Sequence, residues 1–168
     1  MWALIYGRLW LMHQLTDSPL MVGITTTASL GPILFLSAWG GVLADQINRL
    51  KLLRITRGMF AALAILTGAL VATNVVEPWH IIVISVGTGV LISFDIPSRA
   101  AMLPTIVPRE LLPSAIAFYS VVFGGAAVIG SAAFAPMVAT LGIEGVFFTI
   151  GSAYILTVLA LMFMSPVA

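Results

Sequence analysis

Charge is what this sequence has least of. Of 168 residues, seven are Lys or Arg and six are Asp or Glu, 8% in all, where an ordinary soluble domain carries about 25%. A soluble domain of this size needs a polar surface that so few charged side chains cannot supply. With 61% hydrophobic residues and a mean hydropathy of +1.15, the scarcity excludes a soluble enzyme and a disordered chain. The net charge of +1 leaves no basic excess for nucleic acid or acidic partners. Cysteine is absent, which excludes disulfides, thiolate metal sites and cysteine nucleophiles. His13 and His80 are the only histidines; they stand far apart and no HExxH-type spacing occurs, so no metal ligands, catalytic residues or cofactor are expected.

What is present is apolar sequence in long runs. A helix crossing a bilayer needs roughly 20 such residues, and six stretches can be drawn: 1–15, 19–45, 52–73, 79–97, 114–139 and 143–164. Ser18 as N-cap and Pro19 at the first helical position open the second, Trp79 anchors the fourth at an interface, and Pro113 opens the fifth. The expected fold class is therefore all-α, a polytopic helical membrane protein. The first stretch is short, since fifteen residues rise about 22 Å against a hydrocarbon core of roughly 30 Å. It starts in apolar sequence with Arg8 inside it, and neither a basic n-region nor a small-x-small site marks it as a secretory leader. The simplest expectation is a fragment that begins inside its first helix, with a shortened re-entrant segment as the alternative.

The few charges fix an orientation. Loop 46–57 holds Arg49, Lys51, Arg54 and Arg57, and loop 97–113 holds Arg99 and Arg109, whereas connections 14–18, 74–78 and 140–145 hold only Asp17, Glu77 and Glu144. An excess of Lys and Arg marks cytoplasmic loops. Loops 46–57 and 97–113 are thus expected on the cytoplasmic side of a multi-pass protein of a cell membrane (inner or plasma). Pro97, Pro104, Pro108 and Pro113 limit the second of these loops to broken short helices. Small residues recur at packing spacing in the second, fourth and fifth spans, as Gly23, Thr27 and Gly31, Ser85, Gly89 and Ser93, and Ser120 and Gly124. Such faces let helix backbones approach where lipid removes the hydrophobic drive between helices.

The most specific stretch is Gly40-Gly41-Val42-Leu43-Ala44-Asp45-Gln46-Ile47-Asn48-Arg49-Leu50-Lys51-Leu52-Leu53. It resembles the signature loop of the major facilitator superfamily, Gly-x-Leu-Ala-Asp-Arg-x-Gly-Arg-Lys, with Gly41, Leu43, Ala44, Asp45, Arg49 and Leu53 in register. Gln46 and Leu50 replace basic residues, and Asn48 replaces a glycine whose left-handed turn Asn tolerates. Phe94-Asp95-Ile96-Pro97-Ser98-Arg99-Ala100-Ala101-Met102-Leu103-Pro104, Val107-Pro108-Arg109-Glu110-Leu111-Leu112-Pro113-Ser114-Ala115 and Leu15-Thr16-Asp17-Ser18-Pro19 are similar to the enterobactin-exporter-like branch. The resemblance covers essentially the whole chain as an N-terminal six-helix half. It implies twelve spans in two halves, alternating access and proton-driven export, with a C-terminal half or a second copy as partner. It also implies that Asp45 meets a helix N-terminus of the other half in a cytoplasmic gate. The antiporter pattern of span five is only partly met, with Gly130-Ser131 for Gly-Pro, and Ser85 stands near the place of a span-four arginine.

Asp45, near a helix C-terminus where the macrodipole disfavours an anion, needs a partner, and Arg49 stands one turn on if the helix persists. Asp95 and Arg99 share that spacing, with Pro97 between them. Gly41, Asp45, Arg49, Asp95 and Arg99 are the expected gate group. Arg54 and Arg57 are read as topology determinants snorkelling to the interface, with lipid phosphates or Asp95 as alternative partners. Within the membrane, Arg8 lies about 10 Å below the outer end of its span by helical rise. A charge there is a functional candidate. It either faces a cavity, holding an anionic substrate group or a carboxylate of the absent half, or snorkels near the chain start. Arg8, Thr25, Ser29, Tyr119 and Phe123 are the expected substrate-cavity residues. His13 is read as a polar residue of the outer interface rather than a proton relay. The expected function is secondary transport, as export of small amphipathic molecules (drug or siderophore type), with protons and membrane lipids as further partners. A non-transporting membrane subunit or a truncated inactive product is the alternative. An intramembrane protease fits less well, because no Gly-x-Ser-Gly nucleophile occurs and Asp45 and Asp95 stand at the membrane edge.

Overall fold

The computed structural model describes residues 1–46 and 48–163, with backbone alone at residues 38 and 40–46. The described residues are helical throughout, with short connections: α1 Trp2–Thr16, α2 Pro19–Gln46, α3 Arg49–Ala72, α4 Pro78–Ile106 and α5 Leu112–Met162, with a single 3-10 turn at Arg109–Leu111 before α5. Four helical stretches are long and apolar enough to cross a membrane, Pro19–Ser37, Arg49–Ala72, Pro78–Ile106 and Arg109–Met162.

Local chemistry accounts for the helix ends. Asp17 takes a left-handed conformation (φ 47°) and returns its N–H to His13 O at 2.8 Å, closing α1. The Ser18 carbonyl then accepts from Met21 and Val22 to open α2. Asn48 does not form the left-handed turn expected of it. At φ −54° and ψ 110° its Oδ1 accepts from Leu50 N (3.0 Å) and Lys51 N (3.1 Å), so it caps α3. Its side-chain amide supplies what a glycine lacks, an acceptor for orphan N–H groups. Asn74 (φ 56°) ends the turn after α3, and the Glu77 N–H donates to His80 Nδ1 at 3.0 Å as Pro78 starts α4.

Residues 97–113 are not the loop of broken helices expected from their prolines. Helix α4 runs through Pro97 and Pro104 to Ile106, and only then turns extended at Val107. A pair between Asp95 and Arg99 spans Pro97 and helps to hold the helix where the proline removes a backbone donor. The two last apolar stretches form two helical arms of α5, 112–141 and 143–162, that meet in a kink at Gly142, whose φ of 72° and ψ of 168° are non-helical. A side chain there would be strained, and its Cβ would lie 2.6 Å from Glu144 Oε1.

The two arms of α5 pack on different partners. Along residues 112–141, Phe123 meets Trp2 and Phe134 meets Trp10 of α1, with centroids 5.9 and 6.4 Å apart, so this arm runs alongside α1 in the same direction. Along 143–162, Phe147 and Phe148 lie against Gly68, Gly151 against Ile65 and Ala61, and Tyr154 stacks on Phe60 at 5.2 Å. The Leu161 carbonyl then accepts from Arg54 Nε and Nη2 at 3.0 and 2.7 Å. This arm runs antiparallel to α3. Helix α2 packs chiefly on α4. There Gly89 permits contact with the Ser29 backbone, since a Cβ would overlap Ser29 O, and Ser93 Oγ donates to Pro32 O at 3.3 Å.

The apolar core comes from α1, α3, α4 and the 143–162 arm: Leu4, Leu11, Met12, Phe60, Ala64, Ile81, Ile92, Val146, Phe147 and Ile150 are all buried. Among the described side chains of α2 only Thr25 is buried, and residues 112–141 bury none.

Candidate functional site

Arg8 does not snorkel. It is 1% exposed and reaches from α1 across to α4. Its Nε donates to Leu4 O at 3.3 Å, and its Nη1 donates to Ile84 O at 3.2 Å and to Thr88 Oγ1. The Thr88 hydroxyl spends its own proton on Ile84 O (2.8 Å), so its oxygen is left to accept from the guanidinium. All three acceptors are neutral, and no carboxylate pairs with Arg8 among the described residues. Beside it lies a cavity of about 160 Å³ bounded by α1, α2 and α4.

Of the expected cavity residues, Arg8 and Ser29 line this space, together with Thr26 and Trp2, which sequence reasoning did not single out. Thr25 lies buried one position from Thr26 and bonds back to Met21 O at 2.8 Å, so it does not line the cavity. Tyr119 and Phe123 stack on each other at 6.1 Å. Phe123 faces a second space of about 260 Å³ beside Trp2, Arg57 and Arg99. Of the five candidates, Arg8 and Ser29 thus border one space and Phe123 the other, while Thr25 and Tyr119 border neither.

The second place is a charge cluster. Asp95 is fully buried. Its Oδ2 accepts from Arg57 Nη2 at 3.0 Å, and Oδ1 accepts from Thr56 Oγ1 at 3.3 Å. Arg99 Nε approaches Oδ2 to 2.9 Å as an ion pair without hydrogen-bond alignment. Aromatic faces complete the setting: Arg57 lies 5.6 Å from the Tyr154 ring centroid and Arg99 5.5 Å from that of Phe123. The expectation that Arg54 and Arg57 snorkel outward is corrected here. Arg57 turns inward to the Asp95 carboxylate, and Arg54 closes the end of the 143–162 arm. The Arg57–Asp95 pair is the alternative that the sequence left open, whereas the Leu161 carbonyl that receives Arg54 lies far off in sequence and spacing carried no signal for it.

Gly41 and Asp45 fall on α2, but their side chains lie outside the described residues. The helix does not persist from Asp45 to Arg49, because α2 ends at Gln46 and Asn48 caps a new helix from Arg49. The one-turn helical geometry expected for that pair is therefore replaced by a break. Arg49 Nη1 donates to Ala101 O at 2.9 Å, tying α3 to the end of α4. At the opposite end, His13 Nε2 lies 3.9 Å from Asp17 Oδ1, both exposed.

Comparison with known proteins agrees with the signature loop. The family model described as "Transmembrane secretion effector" matches residues 1–168. The staphyloferrin A transporter of Staphylococcus aureus (strain NCTC 8325 / PS 47) is 30% identical over 132 residues, 78% of this chain and 33% of that protein. The chain thus spans about a third of the length of that relative. No solved structure matches. An all-helical chain with several membrane-length helices, a major facilitator signature and a family match along its whole length belongs to the transmembrane secretion effector family of major facilitator superfamily transporters.

Proposed function

We propose that this chain is the N-terminal six-span half of a secondary exporter in the cell membrane. It would move small amphipathic molecules by alternating access with proton coupling, within the enterobactin-exporter-like branch. Arms 112–141 and 143–162 rise about 45 and about 30 Å, each enough for one crossing of a bilayer core of roughly 30 Å. The Gly142 break and the separate partners of the two α5 arms support counting them as two spans. With α1 as a short first span the count is six. By the positive-inside rule, the end holding Arg49, Arg54, Arg57 and Arg99 is cytoplasmic.

The observation that carries this reading is the buried Asp95 between Arg57 and Arg99 at that end. A carboxylate with two guanidinium groups ties α3 to α4 just below the signature loop. Charge pairs of this kind are expensive in a membrane and are retained for function. In the proposal this cluster holds one face of the cytoplasmic gate, while Asp45 and Arg49 in the Gly41–Arg49 loop meet the other half. Arg8, Thr26, Ser29 and Trp2 border the substrate path, and Phe123 lies between path and gate.

The test is transport of a fluorescent amphipathic dye by the full-length protein in proteoliposomes under an imposed proton gradient. Asp45→Asn should abolish transport with membrane insertion unchanged, and collapsing the gradient with an ionophore should do the same to the unaltered protein. Wild-type rates from Asp45→Asn would overturn the gate assignment, and transport indifferent to the gradient would overturn proton coupling.

A further inference from the structure

Arg8 poses a question that the gate does not answer. A guanidinium in a low-dielectric interior is retained when a counter-charge meets it, and among the described residues only neutral oxygens do. Three of its five N–H groups are engaged, and Nη2 has no hydrogen-bond partner among the described residues. In the cavity beside it, Thr26 and Ser29 spend their hydroxyl protons on Val22 O (2.9 Å) and Thr25 O (3.2 Å), so neither donates into the space. Apart from Trp2, the remaining walls are apolar, from Ile5, Leu9, Leu30, Ile33 and Ile92. The space is therefore bordered by one guanidinium that has no counter-charge among the described residues, in a largely hydrocarbon lining.

We propose that Arg8 is the anion-recognition residue of this cavity and that the molecule it takes carries a carboxylate on an apolar body about the size of one ring. The carboxylate is the acceptor that matches a guanidinium fork. The size follows from the volume, because a dry cavity of roughly 150 Å³ admits a benzene ring and this one measures about 160 Å³. A larger substrate would place one carboxylate-bearing arm here and the rest in the path beyond. The inference rests on reading this cavity as part of the transport path, and it narrows the cargo from amphipathic molecules in general to those with a carboxylate.

The probe is benzoate, with benzamide as its uncharged isostere, titrated against the full-length protein in detergent and read as a rise in thermal midpoint. Benzoate should stabilise the unaltered protein and benzamide should not. Arg8→Gln should weaken the apparent benzoate affinity by at least about tenfold, the loss of one charge-assisted hydrogen bond, while Arg8→Lys keeps part of it. The Arg8 peptide should also be protected by benzoate from phenylglyoxal modification. An equal response to the two probes, no response to benzoate, or an Arg8→Gln protein that binds benzoate unchanged would each overturn the inference. If the protein moves the dye yet ignores benzoate, the carboxylate site fails and the transporter reading stands. If it binds benzoate through Arg8 yet moves nothing, the site stands and the transporter reading fails.

Discussion

Thr88, which receives Arg8, and Asp95, which receives Arg57 and Arg99, lie two turns apart on α4, about 10 Å by helical rise. The two cationic sites are satisfied in opposite ways. At Asp95 two guanidinium groups share one fully buried carboxylate, and each also faces an aromatic ring. At Arg8 a guanidinium buried to the same degree meets a hydroxyl and two carbonyl oxygens. A site that neutralises its charge internally has its counter-ion permanently and serves to hold helices together. A site that leaves its charge open is poised to bind something that comes and goes. In the proposal, the same residue type on one bundle separates into a fastening and a receptor.

The sharpest way to break this contrast is Asp95→Ala in the full-length protein. Two half-buried guanidinium groups would lose their fully buried carboxylate partner, at a cost below the about 3–5 kcal/mol of a pair buried on both sides. The folded fraction recovered from membranes should collapse. Arg57→Gln should be far milder, since Asp95 keeps Arg99. Equal stability of Asp95→Ala and the unaltered protein would remove the fastening role. Next comes Gly89→Val, whose Cβ would overlap Ser29 O and cost about 1–3 kcal/mol. It displaces the α2 wall of the Arg8 cavity without touching Arg57, Asp95 or Arg99. Benzoate binding should weaken, and its stability loss should add to that of Arg57→Gln within about 0.5 kcal/mol.

Arg8→Gln should destabilise less than Asp95→Ala, by about 1–2 kcal/mol, because Thr88 and Ile84 remain bonded to each other and no buried charge is orphaned. A thermal-midpoint loss as large as that of Asp95→Ala would make Arg8 a fastening too. Asn48→Ala should be the smallest, about 1 kcal/mol for a lost helix cap. It should leave benzoate affinity unchanged and so serve as the control.

Four membrane-length helical stretches were legible, because bilayer thickness demands long apolar runs and the chain has little else. Prolines at 19 and 113 mark true helix starts, since a first-turn proline gives up an N–H that has no partner anyway. Pro97 and Pro104 misled for the complementary reason. A helix interior tolerates the lost donor when neighbouring contacts hold it, and the Asp95–Arg99 pair and the Arg49 bond to Ala101 O do so here. Arg8 and Asp95 were visible as rare charges in apolar sequence. For Asp95, Arg99 was visible by spacing and Arg57 as an alternative partner, whereas Thr56 and Thr88 look like ordinary span residues until α1, α3 and α4 are packed together. The role of Asn48 was hidden by its replacing a glycine, which drew attention to backbone freedom rather than to its side-chain acceptor.

The division of labour between the two sites is tested most directly by the concentration dependence of transport in proteoliposomes, with a ring-bearing carboxylate as cargo. Arg8→Gln should raise KM by at least about tenfold with the maximal rate little changed, and Asp95→Asn should lower the maximal rate with KM little changed. The reverse pattern, or an Arg8→Gln protein with an unaltered KM, would contradict the account.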